Sequence, residues 1–190
     1  MKMKHVSLYL MLIVDLCIPV TTWSSDSEGQ DIDQIGRDIE QPRFERLARI
    51  QNDPQNKLSP FATDGCSGGL SSGWRFLATA LPAFKDKFGD KPPYEGCCVE
   101  HDRAYWRGET VQGFDKRLQA DQTLKQCVAT YGKQHKQEFA QEFHLSPEII
   151  MQNFTIISTL MYKAVRVGGI PCSKFSWRWG YGWPPCNKGE

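Results

Sequence analysis

The amino-acid sequence predicts a mainly α protein, one domain of several helices held by disulfides and closed by an aromatic C-terminal segment. Three observations carry this. Apolar residues recur at helical spacing in long segments, and Gly or Pro closes each of them. Of the 7 cysteines, all but Cys17 lie at or beyond Cys66, an even set that reads as three disulfides in an exported chain. Trp177, Trp179, Tyr181 and Trp183 alternate with other residues, the period of an extended segment. A chain of 190 residues can bury its own core and is short for more than one domain.

Residues 1–25 have the layout of a signal peptide, leaving 26–190 as the single domain. Met1-Lys2-Met3-Lys4-His5 is basic, Val6 to Val20 is mostly apolar, and Thr21, Thr22, Ser24 and Ser25 follow. Asp15 interrupts the apolar run and no small-x-small cleavage site stands out, so a retained anchor is the other reading. The run is short for a spanning helix, which needs about 20 apolar residues. Residues 24–36 are polar and read as a flexible segment.

Ile39, Phe44, Leu47 and Ile50 predict a helix from Arg37 to Gln51, broken at Asp53-Pro54. A loop rich in Gly and Ser runs from Ser59-Pro60 to Gly73. Its glycines permit backbone angles that turn carbonyls toward one point, and a plain surface loop has the same composition. Trp74 to Phe88 is a further helical stretch disturbed by Pro82, and Gly89 to Pro93 is a breaker cluster.

Glu95 to Arg107 is predicted helical and ends at Gly108. Asp115 to Tyr131 is a second helix, supported by Leu118, Leu124 and Val128 and ended by Gly132. A short connection makes this pair antiparallel. Lys133 to Phe143 is a shorter amphipathic piece. Ser146-Pro147-Glu148 starts a helix that reaches Arg166 and stops at Gly168-Gly169, apolar enough for a buried core helix. The tail, Pro171 to Pro185, is read either as an extended aromatic surface for a lipid interface or as a flap packed on the core.

Several classes are disfavoured. The net charge is +1 and no long basic run occurs, so nucleic acid is not an expected partner. Cys98-x-x-His101 is half of a zinc pattern, but no second Cys/His pair of like spacing follows. His5, His135 and His144 stand in no motif.

The chemistry concentrates in Cys97-Cys98-Val99-Glu100-His101-Asp102-Arg103-Ala104-Tyr105. His101 and Tyr105 are four apart and share a helix face, while Asp102 points about a quarter-turn away. An imidazole exchanges protons near neutral pH, and a carboxylate can hold a hard cation. Taken alone, His101 is structural more often than catalytic. Asp102 has Arg103 and Arg107 as alternative partners, and Asp64 is also a turn-capping type.

The pattern Cys-Cys-x-x-His-Asp-x-x-Tyr, followed by Asp121-x5-Cys127, resembles the secreted phospholipase A2 superfamily. Thr63-Asp64-Gly65-Cys66 resembles the calcium loop of its smaller microbial and fungal members. The resemblance spans roughly residues 63–128 with gaps. It implies a disulfide-linked antiparallel helix pair of phospholipase A2 type, with bonds Cys66–Cys98 and Cys97–Cys127. In the flap reading of the tail, Cys172–Cys186 staples it. By resemblance, His101 activates a water, Asp121 supports His101, and Tyr105 bonds Asp121. Asp102, the Asp64 side chain and the Gly65 carbonyl would bind calcium. The stretch between Cys66 and Cys97 is longer than in small microbial members and holds Trp74, Phe76 and Phe84. The animal enzymes' glycine-rich loop pattern is absent. The expected function is an exported, calcium-dependent hydrolase of a phospholipid or other lipid ester, working at a membrane surface. The alternative is a non-catalytic module of that fold, binding lipid or protein.

Overall fold

The computed structural model describes residues 25–66, 79, 85–86 and 89–186. Among them are four helices and no strand: α1 (Ser25–Asn52), α2 (Glu95–Arg107), α3 (Gly113–Phe143) and α4 (Pro147–Gly168). Three disulfides join Cys66 to Cys98, Cys97 to Cys127 and Cys172 to Cys186. This is a mainly helical chain whose bonds suit an oxidising, extracytoplasmic compartment. No helix among the described residues is long and apolar enough to cross a membrane. The expected signal segment and nearly all of the stretch from Trp74 to Phe88 lie outside the described residues.

The chain divides into two compact units, residues 1–35 and 36–190. Of the first, residues 25–35 are described, and they are helical. The polar segment expected to be flexible is therefore the opening of α1. Its Ser, Asp and Gly residues are weak helix formers, but extending a helix already formed needs no new nucleus.

In the second unit, α1 buries Glu40, Phe44 and Leu47, one stripe at spacings of four and three. Pro42 lies on the exposed side of the helix and contributes no N–H to its ladder. α2 ends as expected at Gly108, whose φ of 62° is the left-handed cap and whose N–H donates to the Ala104 carbonyl at 3.0 Å. A Cβ there would also stand 2.2 Å from the Gly180 Cα, so two glycines let the tail cross the helix end.

α3 does not stop at Gly132. It continues to Phe143 and absorbs the expected separate piece. An interior glycine costs roughly 1 kcal/mol against alanine, but here it forms a notch for the Phe154 ring of α4. A Cβ on Gly132 would lie 2.2 Å from Phe154 Cγ. Gly132→Ala is therefore expected to destabilise the fold by about 1–3 kcal/mol despite the better helix former. Urea unfolding reads this directly, and a stabilised variant would show that the ring is not seated there.

Ser146 caps α4, its Oγ accepting from the Ile149 N–H at 3.3 Å. The helix buries Ile150, Phe154, Ser158 and Gly168 and exposes Ile149, Ile156 and Leu160. It is thus a surface helix with one buried stripe, and not the fully buried core helix its composition predicts. Its apolar content exceeds what a single packing face takes up. The tail is also not extended: residues 171–183 are largely turns and bends. Pro171, Gly180 and Gly182 break the run, and the Cys172–Cys186 bond closes it into a loop. Each ring then takes its own seat, with Trp179 only 2% exposed.

The core has two clusters. One gathers Tyr94, Leu124, Val128, Phe139, Ile150 and Phe154 around the Cys66–Cys98 bond. The other gathers Phe44, Leu47, Tyr105, Phe114 and Trp179. α2 and α3 run antiparallel, since Cys97 meets Cys127, His101 meets Asp121 and Tyr105 meets Arg117.

Candidate active site

His101, Tyr105 and Asp121 come together at the α2–α3 contact. Asp121 is fully buried, and its Oδ1 accepts from His101 Nε2 at 2.8 Å and from Tyr105 Oη at 2.7 Å. A carboxylate oxygen is only an acceptor, so Nε2 carries the imidazole proton and Nδ1 is the free base. Tyr105 is held as a donor, because burial and then the Asp121 charge push its pKa well above the usual tyrosine value.

Burial pulls the His101 pKa down, but the bond to Asp121 and the charges of Asp121 and Asp102 outweigh it and leave it raised. Asp102 Oδ1 lies 3.9 Å from Nδ1, too far for a hydrogen bond, so it acts through its charge. A raised histidine stabilises the fold below its unfolded value, near 6.5, and loses that contribution as pH rises through the folded value. In calcium-free buffer, the melting temperature of the native chain is thus expected to fall across that window relative to His101→Gln. Parallel melting curves in this pH range would contradict the raised value.

On the side of Asp102 lies the loop over residues 59–66. Thr63 Oγ1 donates to Asp102 Oδ2 at 2.5 Å and accepts from the Gly65 N–H at 2.9 Å. Gly65 has φ of 67°, and a Cβ there would press on the Glu95 carboxylate, 2.2 Å away. Cys66–Cys98 then fastens the loop to α2. The tail holds it from the other side: Tyr181 Oη donates to the Ala62 carbonyl at 2.7 Å, and the Ser59 N–H donates to the Gly182 carbonyl at 2.9 Å. Burial, then the charges of Asp102 and Asp64, raise the Tyr181 pKa. Asp64 itself is exposed. Among the described residues no group of three or more His, Cys, Asp or Glu side chains is arranged to hold a metal. A calcium site here would rest on two carboxylates and peptide carbonyls. That all-oxygen donor set fits calcium in kind.

His101 also lines a cavity of about 530 Å³ in the α2–α3 groove, with Ala104, Ala120, Leu124 and Trp179. Arg103, Arg107 and Lys116 stand around it. Asp102 is not part of its lining and faces the loop instead.

Arg117, Arg166 and Glu40, which belong to no motif in the sequence, surround Asp121. Arg117 Nη1 and Arg166 Nη1 donate to Asp121 Oδ2 at 3.3 and 3.0 Å, and both arginines pair with Glu40. One signal was present: Arg117 shares the helical stripe of Asp121, Leu124 and Val128, where a lone charge needs a buried partner. His135 stacks on Tyr131 at 4.0 Å and is a packing residue. Comparison with family models, curated proteins and solved structures returned no match.

Proposed function

We propose that this protein is an exported, calcium-dependent ester hydrolase of phospholipase A2 type and fold, acting on a phospholipid or related lipid ester at a membrane surface. The observation that supports it most is Asp121 Oδ1 accepting from His101 and Tyr105 together. These three groups lie on two helices and were singled out by one sequence resemblance.

In this reading His101 Nδ1 takes a proton from a water as that water attacks the ester carbonyl carbon. The bond from Nε2 to Asp121 holds the ring in the tautomer that leaves Nδ1 free. The imidazolium that forms sits between Asp121 and Asp102. Its proton passes to the leaving alkoxide as the ester C–O bond breaks, giving a fatty acid and an alcohol. Tyr105 keeps Asp121 from turning. Ala104, Leu124 and Trp179 would give the groove an apolar wall for an acyl chain, while its cations Arg103, Arg107 and Lys116 are paired with Glu100 or Glu109 of the same lining. Asp102, Asp64 and the Gly65 carbonyl would hold calcium, which when bound supplies positive charge to polarise the ester carbonyl.

Fatty-acid release from mixed phospholipid vesicles tests the reading. Release is expected with millimolar calcium, to vanish with a chelator, and to return with calcium but not with magnesium, which demands stricter octahedral geometry. Release unaffected by the chelator would remove calcium from the mechanism.

A second reading has its own observation: His101 is only 8% exposed, and Thr63 already occupies an oxygen of Asp102. That arrangement also suits a non-catalytic module that binds lipid or protein. Vesicle binding without hydrolysis at any calcium level would favour it and overturn the hydrolase.

A further inference from the structure

The reaction above uses one oxygen of Asp121, and the other belongs to a buried ionic cluster with no chemical role in it. Oδ2 accepts from Arg117 on α3 and Arg166 on α4. Behind them, Glu40 of α1 takes Arg117 through Nε at 2.9 Å and through a second bond from Nη2, and takes Arg166 Nη2 at 3.3 Å. Arg117 also donates to Tyr105 Oη at 3.2 Å and to the Val165 carbonyl at 3.2 Å. Two cations thus face two anions, contributed by α1, α3 and α4, around one end of the His101–Asp121–Tyr105 chain.

Such a cluster is a poor choice for stability alone, since apolar residues of similar volume usually serve as well or better. Its geometry serves orientation. A carboxylate bonded through one oxygen can rotate about its Cβ–Cγ bond and lose its line to a histidine. Asp121 has two donors on each oxygen, in fixed directions, so the plane of the group is set. Arginine suits this because its planar fork satisfies several acceptors without changing its charge.

We infer that Arg117 and Arg166, held from behind by Glu40, are positioning residues that fix the Asp121 carboxylate for His101, so that docking of α1 is a condition for an ordered dyad. None of the three touches substrate. The inference rests on the hydrolase reading for its kinetic readout alone.

The experiment uses the full oxidised chain with ¹⁵N-labelled histidine. In the native protein the His101 Nε2–H resonance is expected downfield and slow to exchange, because it is buried against a carboxylate. Arg166→Gln is the first variant, since that side chain is 16% exposed and better tolerated than the fully buried Arg117. Glu40→Gln is the second, and Arg166→Lys tests whether a simple charge restores function.

In the first two variants the ring proton is expected to exchange faster and kcat to fall about 10- to 100-fold, the scale of an ångström-level misplacement. KM is expected to stay within about twofold, because bound substrate does not meet these groups. Arg166→Lys is expected to recover part of kcat. Unchanged ring-proton exchange and unchanged kcat in folded Arg166→Gln and Glu40→Gln would overturn the inference, even if both melt at lower temperature. If the native chain hydrolyses no lipid yet the ring proton responds as described, the hydrolase reading falls and the positioning role stands.

Discussion

Replacing His101 by glutamine is expected to lower lipid-ester hydrolysis by about 10²- to 10⁴-fold, the usual contribution of a positioned general base. Glutamine is chosen because its amide N–H can still donate to Asp121 Oδ1, which otherwise keeps only Tyr105 on that oxygen. The amide cannot take a proton from water near neutral pH. The ring is packed against Tyr105 with centroids 4.2 Å apart, and the smaller amide leaves some of that space unfilled. A stability loss of about 1 kcal/mol is therefore expected, well short of unfolding. Fatty-acid release measured beside a circular-dichroism melt separates the two effects. A variant that keeps more than about a tenth of the native rate would exclude His101 as the base.

Replacing Asp121 by alanine is expected to destabilise the fold far more, by about 3–5 kcal/mol, and to remove activity with it. The mutation deletes one of two anions facing two arginines. Arg117 is 0% exposed and cannot turn to water. Burial disfavours its charge, and Tyr105, Glu40 and Asp121 together keep its pKa above the ordinary value. With Asp121 gone, Glu40 alone faces both cations, and His101 and Tyr105 lose a common acceptor. Asp121→Asn removes the charge but keeps an oxygen for Tyr105 and His101, so a smaller loss is expected. Urea unfolding of both variants gives the order. An alanine variant within about 1 kcal/mol of native would show that the cluster is not closed as described.

The parts legible in the sequence were those set by local rules. Gly108 closes α2 because only glycine takes its left-handed cap cheaply. Ser146-Pro147 opens α4 because a side-chain oxygen and a missing N–H both suit a helix start. The meeting of His101 and Tyr105 with Asp121 was legible through the phospholipase A2-like pattern, and the antiparallel helix pair brings these separated positions together. What was hidden depends on a partner remote in sequence. Gly132 looked like a stop until Phe154 occupied it. The alternating aromatics of the tail looked extended, yet residues 171–183 are largely turns and bends, in which Trp179 Nε1 donates to the Glu109 carbonyl and Trp183 Nε1 to the Arg107 carbonyl. Glu40 and Arg166 looked like ordinary helix charges because their partners lie on other helices.

The tail that crosses the end of α2 has a consequence for the order of assembly. The Gly180 N–H donates to the Tyr105 carbonyl at 2.6 Å, the Gly182 N–H to the Trp106 carbonyl at 3.1 Å, and the Trp179 ring covers Tyr105 edge-on at 5.0 Å. A ribosome makes Tyr105 and Asp121 well before it makes Trp179. While the tail is still unmade, α2 and α3 have all the groups of the dyad but lack this cover, and long-range contacts of this kind form late and slowly. Closure of Cys172 onto Cys186 then keeps the tail in place. The nascent chain therefore holds His101, Tyr105 and Asp121 before it holds the residues that cover them.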